Sequence, residues 1–182
     1  MTQAHYVKKA RKNHPEGGIK KGESYYWWAF MVGGRGGPKH YSKAQPKRSQ
    51  LTQSDFFSAL YDIEDELSNI SSDMGVSDMQ STVENAVSEL ENLKDETQGK
   101  FDNMPESLQQ GDTGQLLEER VSEVESMIDE LQGIDFSAAE EEEANVEVKE
   151  RETKEGEDEP EEETTAREAA VDEISNVSYS GS

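Results

Sequence analysis

The chain of 182 residues contains no cysteine, which excludes disulfides and every metal site that needs a thiolate. Hydrophobic residues are scarce at 31%, below the usual globular share, so one uniform core over the whole length is not expected. No apolar run approaches a membrane span, and the N-terminus lacks the apolar stretch of a secretory signal. The expectation is a soluble protein made in a cytoplasm. Motifs of catalysis are missing too. No Gly-Lys-Ser/Thr follows the glycine-rich run at 33–37, so it is not a P-loop, and no Gly-x-Ser-x-Gly elbow occurs. The acidic run at 64–66 lacks the glycine and spacing of a calcium loop. His5, His14 and His40 have no tight spacing that would suggest a metal centre. Asp and Glu are so abundant that no pair stands out as a general acid and base. A non-enzymatic chain without a cofactor or metal is expected.

Positive charge is in short supply, and it is unevenly placed. The formal net charge is -23, from 18 Lys and Arg against 41 Asp and Glu. Residues 1–50 hold 11 basic and 2 acidic side chains, residues 51–136 hold 3 and 22, and residues 137–182 hold 4 and 17. Such segregation points to interaction surfaces rather than to a particular fold.

Residues 1–22 read as a flexible basic arm, with Lys8 to Lys21 mobile and His5-Tyr6-Val7 able to form a short strand. Residues 23–49 read as an aromatic β-hairpin and a basic linker. Tyr25 to Met31 is rich in strand formers. Gly33 to Gly37 supplies the positive φ of a turn, and Lys39 to Lys43 returns as the partner strand. Alternation puts Tyr25, Trp27, Ala29 and Met31 on one face and Tyr26, Trp28 and Phe30 on the other. A lone hairpin is marginal in water, so a third strand near His5 is expected.

Residues 50–135 read as an acidic region of three amphipathic helices, packed as a bundle within the chain or as a coiled coil between copies. The first is capped at Thr52, with Leu51 and Phe56 as a hydrophobic staple, and carries the stripe Leu60, Ile63, Leu67, Ile70, Met74. The second starts at Ser77, carries Met79, Val83, Ala86, Leu90, Leu93 and ends at Gly99. After a connector with one turn beyond Pro105, the third carries Leu117, Val121, Val124, Ile128, Leu131 and stops at Gly133. Residues 136–182 are low-complexity acid and read as a disordered tail, with one possible short helix from Thr165 to Val177. The fold class expected is therefore mainly α, with a small N-terminal β element and an acidic disordered C-terminus.

The basic end suggests nucleic acid, since Lys and Arg neutralise phosphates while exposed rings stack on bases. The candidate binding residues are Lys8, Lys9, Arg11, Lys12, Lys20, Lys21, Tyr25, Tyr26, Trp27, Trp28, Arg35, Lys39, Tyr41, Lys43, Lys47 and Arg48. The rings could instead form a small core against the first helix. The acidic tail could compete with nucleic acid for the basic end or serve only solubility. The acid-covered helices could also imitate DNA before a host enzyme, or oligomerise in an assembly role, with an acidic protein as the partner of the basic end.

The segments KKARK at 8–12, KGESYYWWAF at 21–30, HYSK at 40–43, PKRSQLTQSDF at 46–56 and NMPESLQQGDTGQLLEERV at 103–121 together resemble a set of proteins carried by tailed bacteriophages and some bacteria. The resemblance covers roughly residues 7–135 and implies no particular activity. The order of strand, glycine turn, strand, basic linker and helix is also similar to the arm-site-binding domain of phage tyrosine recombinases. That likeness implies DNA binding by the sheet, without the catalytic domain that follows it there. A phage-related binding protein that engages nucleic acid or another polyanion, in the host cytoplasm, is the leading expectation.

Overall fold

Tyr25–Val32 form strand β2, because aromatic and β-branched side chains favour a pleated, half-buried surface. Arg35–Ser42 return as β3, and the two pair antiparallel. Only Gly33 and Gly34 make the turn, with φ of 57° and 78°. Two successive positive φ values give the tight loop whose twist matches the strands it joins. The other two glycines of the run lie within β3. There a bulge interrupts the register between Ala29 and Met31. Gly37 is required at that point, since a Cβ on it would stand 2.9 Å from the Phe30 carbonyl oxygen. His5–Val7 add β1 to the other side of β2, with His5 opposite Trp27, so the sheet runs β1-β2-β3. The third strand expected near His5 is present. Pro38 and the bulge interrupt β3, the last strand of the sheet.

The computed structural model describes residues 1–152 and 166–179. The chain divides into two compact units, Met1–Asp62 and Ile63–Ser182, with the boundary inside helix α1, Asp55–Leu67. Ser54 rather than Thr52 caps α1, its hydroxyl accepting the Phe57 N–H at 3.4 Å. Leu51 belongs to a short 3₁₀ turn, Arg48–Leu51, that precedes the cap. In the first unit Trp28, Phe56, Leu60, Tyr61, Ala10 and Ile19 are buried.

Residues 8–22 differ from the mobile arm expected of them. The backbone of Ala10 donates to the Glu23 carbonyl at 2.8 Å and accepts from Gly22 at 2.9 Å. His14 and Ile19 exchange bonds of 2.8 and 3.0 Å, and the Lys21 N–H donates to the Asn13 side chain at 2.7 Å. The two limbs of the segment are thus zipped together, closed by a 3₁₀ turn at Pro15–Gly17 and by Gly18 at φ 63°. Ordered partners for this many backbone groups offset the chain entropy that composition alone suggested would win.

In the second unit the chief packing is between α2, Val76–Asp102, and α4, Asp112–Gln132. The expected α2 stripe, Met79, Val83, Ala86, Leu90 and Leu93, is buried in full, and Thr97 extends it. Thr97 stays dry because its hydroxyl donates to the Leu93 carbonyl at 2.7 Å. Its burial carries α2 past Gly99, where the sequence suggested a stop. From α4, Val124, Met127, Ile128 and Leu131 are buried, while Leu117 and Val121 are only half-buried. The turn after Pro105 is helix α3, Glu106–Gln109. Gly114 lets α4 start tight against it, since a Cβ there would overlap the Gln109 carbonyl.

Among the described residues of the stretch 136–182 are two helices, α5 at Ser137–Glu152 and α6 at Ala166–Asn176. Asp135 caps α5, accepting from the Ser137 N–H at 2.9 Å and from its hydroxyl. Those two bonds hold the Asp135 carboxyl below its usual range. Ala139, Ala170 and Ile174 are buried. The Val76 N–H, at the start of α2, donates to Glu143, and Gln80 donates to Glu140 at 2.6 Å. The acidic run 153–165 and residues 180–182, for which disorder was also expected, lie outside the described residues. Among the described residues no helix is long and apolar enough to cross a membrane.

Candidate nucleic-acid interface

The zipped segment gathers charge. Lys8, Lys9, Arg11 and Lys12 lie on one limb and Lys20 and Lys21 on the other, and all six are exposed. No carboxylate pairs with any of these six side chains among the described residues. Val7, just before the first limb, pairs with Tyr25 at the start of β2, so this cluster stands at the base of the sheet. Lys43, just beyond β3, reaches the same end and forms an ion pair with Glu23 at 3.1 Å. The Glu23 carboxylate also accepts the Lys20 N–H at 2.7 Å. That backbone bond, followed by the bond to Lys43, lowers the carboxyl from its usual range.

The depressed acid stabilises the folded sheet unit above its ordinary titration range. The contribution shrinks as pH falls through the ordinary glutamate range and is lost below the lowered folded value. Glu23→Gln is therefore expected to lower the unfolding midpoint of the sheet unit at pH 7, and its difference from the parent is expected to shrink as pH is lowered into the acid range. Denaturant titrations followed by tryptophan fluorescence check both.

The aromatic residues behave differently from a stacking platform. Trp28 is 6% exposed, with His40 stacked on it at 5.5 Å. This corrects its place among the candidate contacts: both faces of β2 are apolar, and Trp28 is the residue of the strand that is buried, while Tyr26 and Phe30 on the same face are half-buried. Trp27 is half-buried, and its ring is engaged from both neighbouring strands. His5 on β1 stacks on it at 4.5 Å, and the Lys39 ammonium on β3 sits 4.1 Å from its centroid. His14 stacks on Tyr41 at 4.3 Å and lies 5.1 Å from Tyr25. Tyr26 meets Tyr6 at 5.1 Å. Tyr25, Tyr26, Trp27 and Tyr41 are thus each in ring contact with a neighbour of the sheet unit, among them Tyr6, Lys39 and the histidines.

The remaining candidates are scattered. Arg35 pairs with Val32 at the hairpin tip, about seven residues and roughly 24 Å along β2 from the basic base. Lys47 is 3.9 Å from Asp62, and the Arg48 guanidinium lies over Tyr61 at 4.1 Å. The structure therefore brings together Lys8, Lys9, Arg11, Lys12, Lys20, Lys21 and Lys43, with Lys39 further along the sheet. Sequence reasoning missed the three histidines as ring partners, and missed Asn13 and Glu23 as the residues that brace the cluster. Glu23 carried a signal, being one of only two acids among the first 50 residues.

No group of three or more His, Cys, Asp or Glu side chains among the described residues could hold a metal ion. Compared with known proteins, the chain matches no family, no curated protein and no solved structure.

Proposed function

We propose that this is a non-enzymatic binding protein, of the phage-related kind its motifs resemble, whose N-terminal unit grips the phosphate backbone of a nucleic acid. The observation that supports the reading most is the cluster of six exposed cations on a hydrogen-bonded support, none of which forms an ion pair among the described residues. The chain as a whole is strongly acidic, and a mere solubilising surface would gain nothing from cations braced together at one end of a sheet. A braced cluster loses less side-chain and backbone entropy on meeting phosphates than a mobile arm does. Because the rings are already engaged, affinity comes from charge rather than from stacking on unpaired bases.

The test is a gel shift of the intact protein with a duplex and with a single strand of equal length, over a salt series. Duplex binding is expected to weaken linearly in log–log form, with a slope of about -5 for six phosphate contacts. Absence of binding to either probe at low salt rejects the reading. The bundled acidic helices are the basis of a second reading, assembly through protein contacts, which rests on a separate feature, an apolar groove in that unit.

A further inference from the structure

We infer that the acidic unit carries a docking groove for a basic amphipathic helix of a partner protein. The groove lies between α2 and the segment joining α4 to α5, and has a volume of about 450 Å3. Val83 and Val87 line it from α2, Leu131 from the end of α4, and Ile134 and Phe136 from the joining segment. Val87, Ile134 and Phe136 are only half-buried, so their apolar surface is not consumed by the unit's own packing. The joining segment is held in place by the Asp135 cap of α5, and α5 in turn is tied to α2 through Glu140 and Glu143. These apolar groups therefore sit on a fixed frame. A second depression of about 310 Å3 shares Ile134 as a wall and continues to Val177 beyond α6.

Charge names the occupant. Glu84 borders the first depression, and Glu130 and Glu173 border the second, while among the described residues no Lys or Arg lines either. Nucleic acid is repelled there. A helix with one apolar stripe flanked by Lys and Arg satisfies both demands. Residues three or four apart on one helix face are about 5–6 Å apart, which lets successive anchors enter two depressions that share a wall. The flanking cations then meet the carboxylates of the rim. This surface is separate from the cationic cluster and does not depend on the nucleic-acid reading.

The probe is a fluorescent Leu/Lys peptide of about five helical turns, with its leucines in one stripe. Its control is a scrambled peptide of the same composition, which has equal charge and no stripe. Anisotropy with the intact protein at about 0.15 M salt, where surface attraction is screened, is expected to show the striped peptide binding at least about tenfold more tightly. Ile134→Asp is expected to remove that preference, and circular dichroism confirms its helices. Glu84, Glu130 and Glu173→Gln together touch no core residue and are expected to weaken the striped peptide severalfold; this variant decides the matter should Ile134→Asp unfold. Equal binding of the two peptides overturns the proposal, as does striped binding that neither variant alters. A self-association of the protein that Ile134→Asp abolishes overturns it in favour of a second copy as the occupant.

Discussion

Replacing Lys8, Lys9, Arg11 and Lys12 together by alanine is expected to lower duplex affinity on the order of a hundredfold at low salt and to flatten the log–log salt slope by about three to four. The slope is the sharper measure. Each phosphate left without its cation withdraws about 0.9 from it, whatever the sequence of the probe. The four side chains are exposed and make no ion pair among the described residues, so their removal leaves the fold intact. The supporting bonds of the limb come from the backbone of Ala10 and from Asn13 and His14, none of which is changed. Trp27→Phe serves as the contrast. If the rings stacked on bases, that change would weaken a single strand selectively. Since His5 and Lys39 already occupy the ring, little change is expected with either probe. A variant that keeps the parent slope would move the contacts elsewhere on the chain.

Trp28→Ala is expected to unfold the N-terminal unit while the helices of the second unit persist. Truncating a buried Trp costs about 3–5 kcal/mol. A unit of 62 residues has roughly 3–9 kcal/mol to lose by the usual stability per residue, and a small core sits toward the lower end of such ranges. The loss is thus comparable to everything the unit has. His40, which also meets Phe30 edge-on at 5.6 Å, loses its stacking partner at the same time. Near-ultraviolet circular dichroism, which reports the packed rings, should collapse. The far-ultraviolet helical signal should survive in α2 and α4, whose core contains none of these residues. A cooperative loss of both signals would show that the two units unfold as one.

How far the sequence could be read depended on whether side chains or backbone did the organising. β2 was legible from its aromatic run, and β1 from the argument that a hairpin alone is too weak. The α2 stripe was legible because five apolar residues keep helical spacing, and all five are buried. The zipped segment at 8–22 was not legible, since backbone groups make most of its bonds and leave no side-chain period. Ala10 and Ile19, isolated apolar residues in a polar run, are buried and were its only trace. Nor could alternation say which tryptophan would be sealed, as both faces of β2 are apolar. The cations were all visible beforehand. What joined seven of them, and left Arg35, Lys47 and Arg48 elsewhere, was a register that only the fold supplies. The helix α5 escaped notice because glutamate-rich composition resembles disorder, whereas Glu140 and Glu143 are spent on neighbours in α2.

The outer border of β3 has a consequence for handling and for evolution. An approaching strand would find no amide to pair at Pro38 and an extra residue at the bulge, so growth of one molecule's sheet onto another's is discouraged. A module guarded in this way is expected to tolerate crowding, with many copies lying side by side, without knitting into fibres.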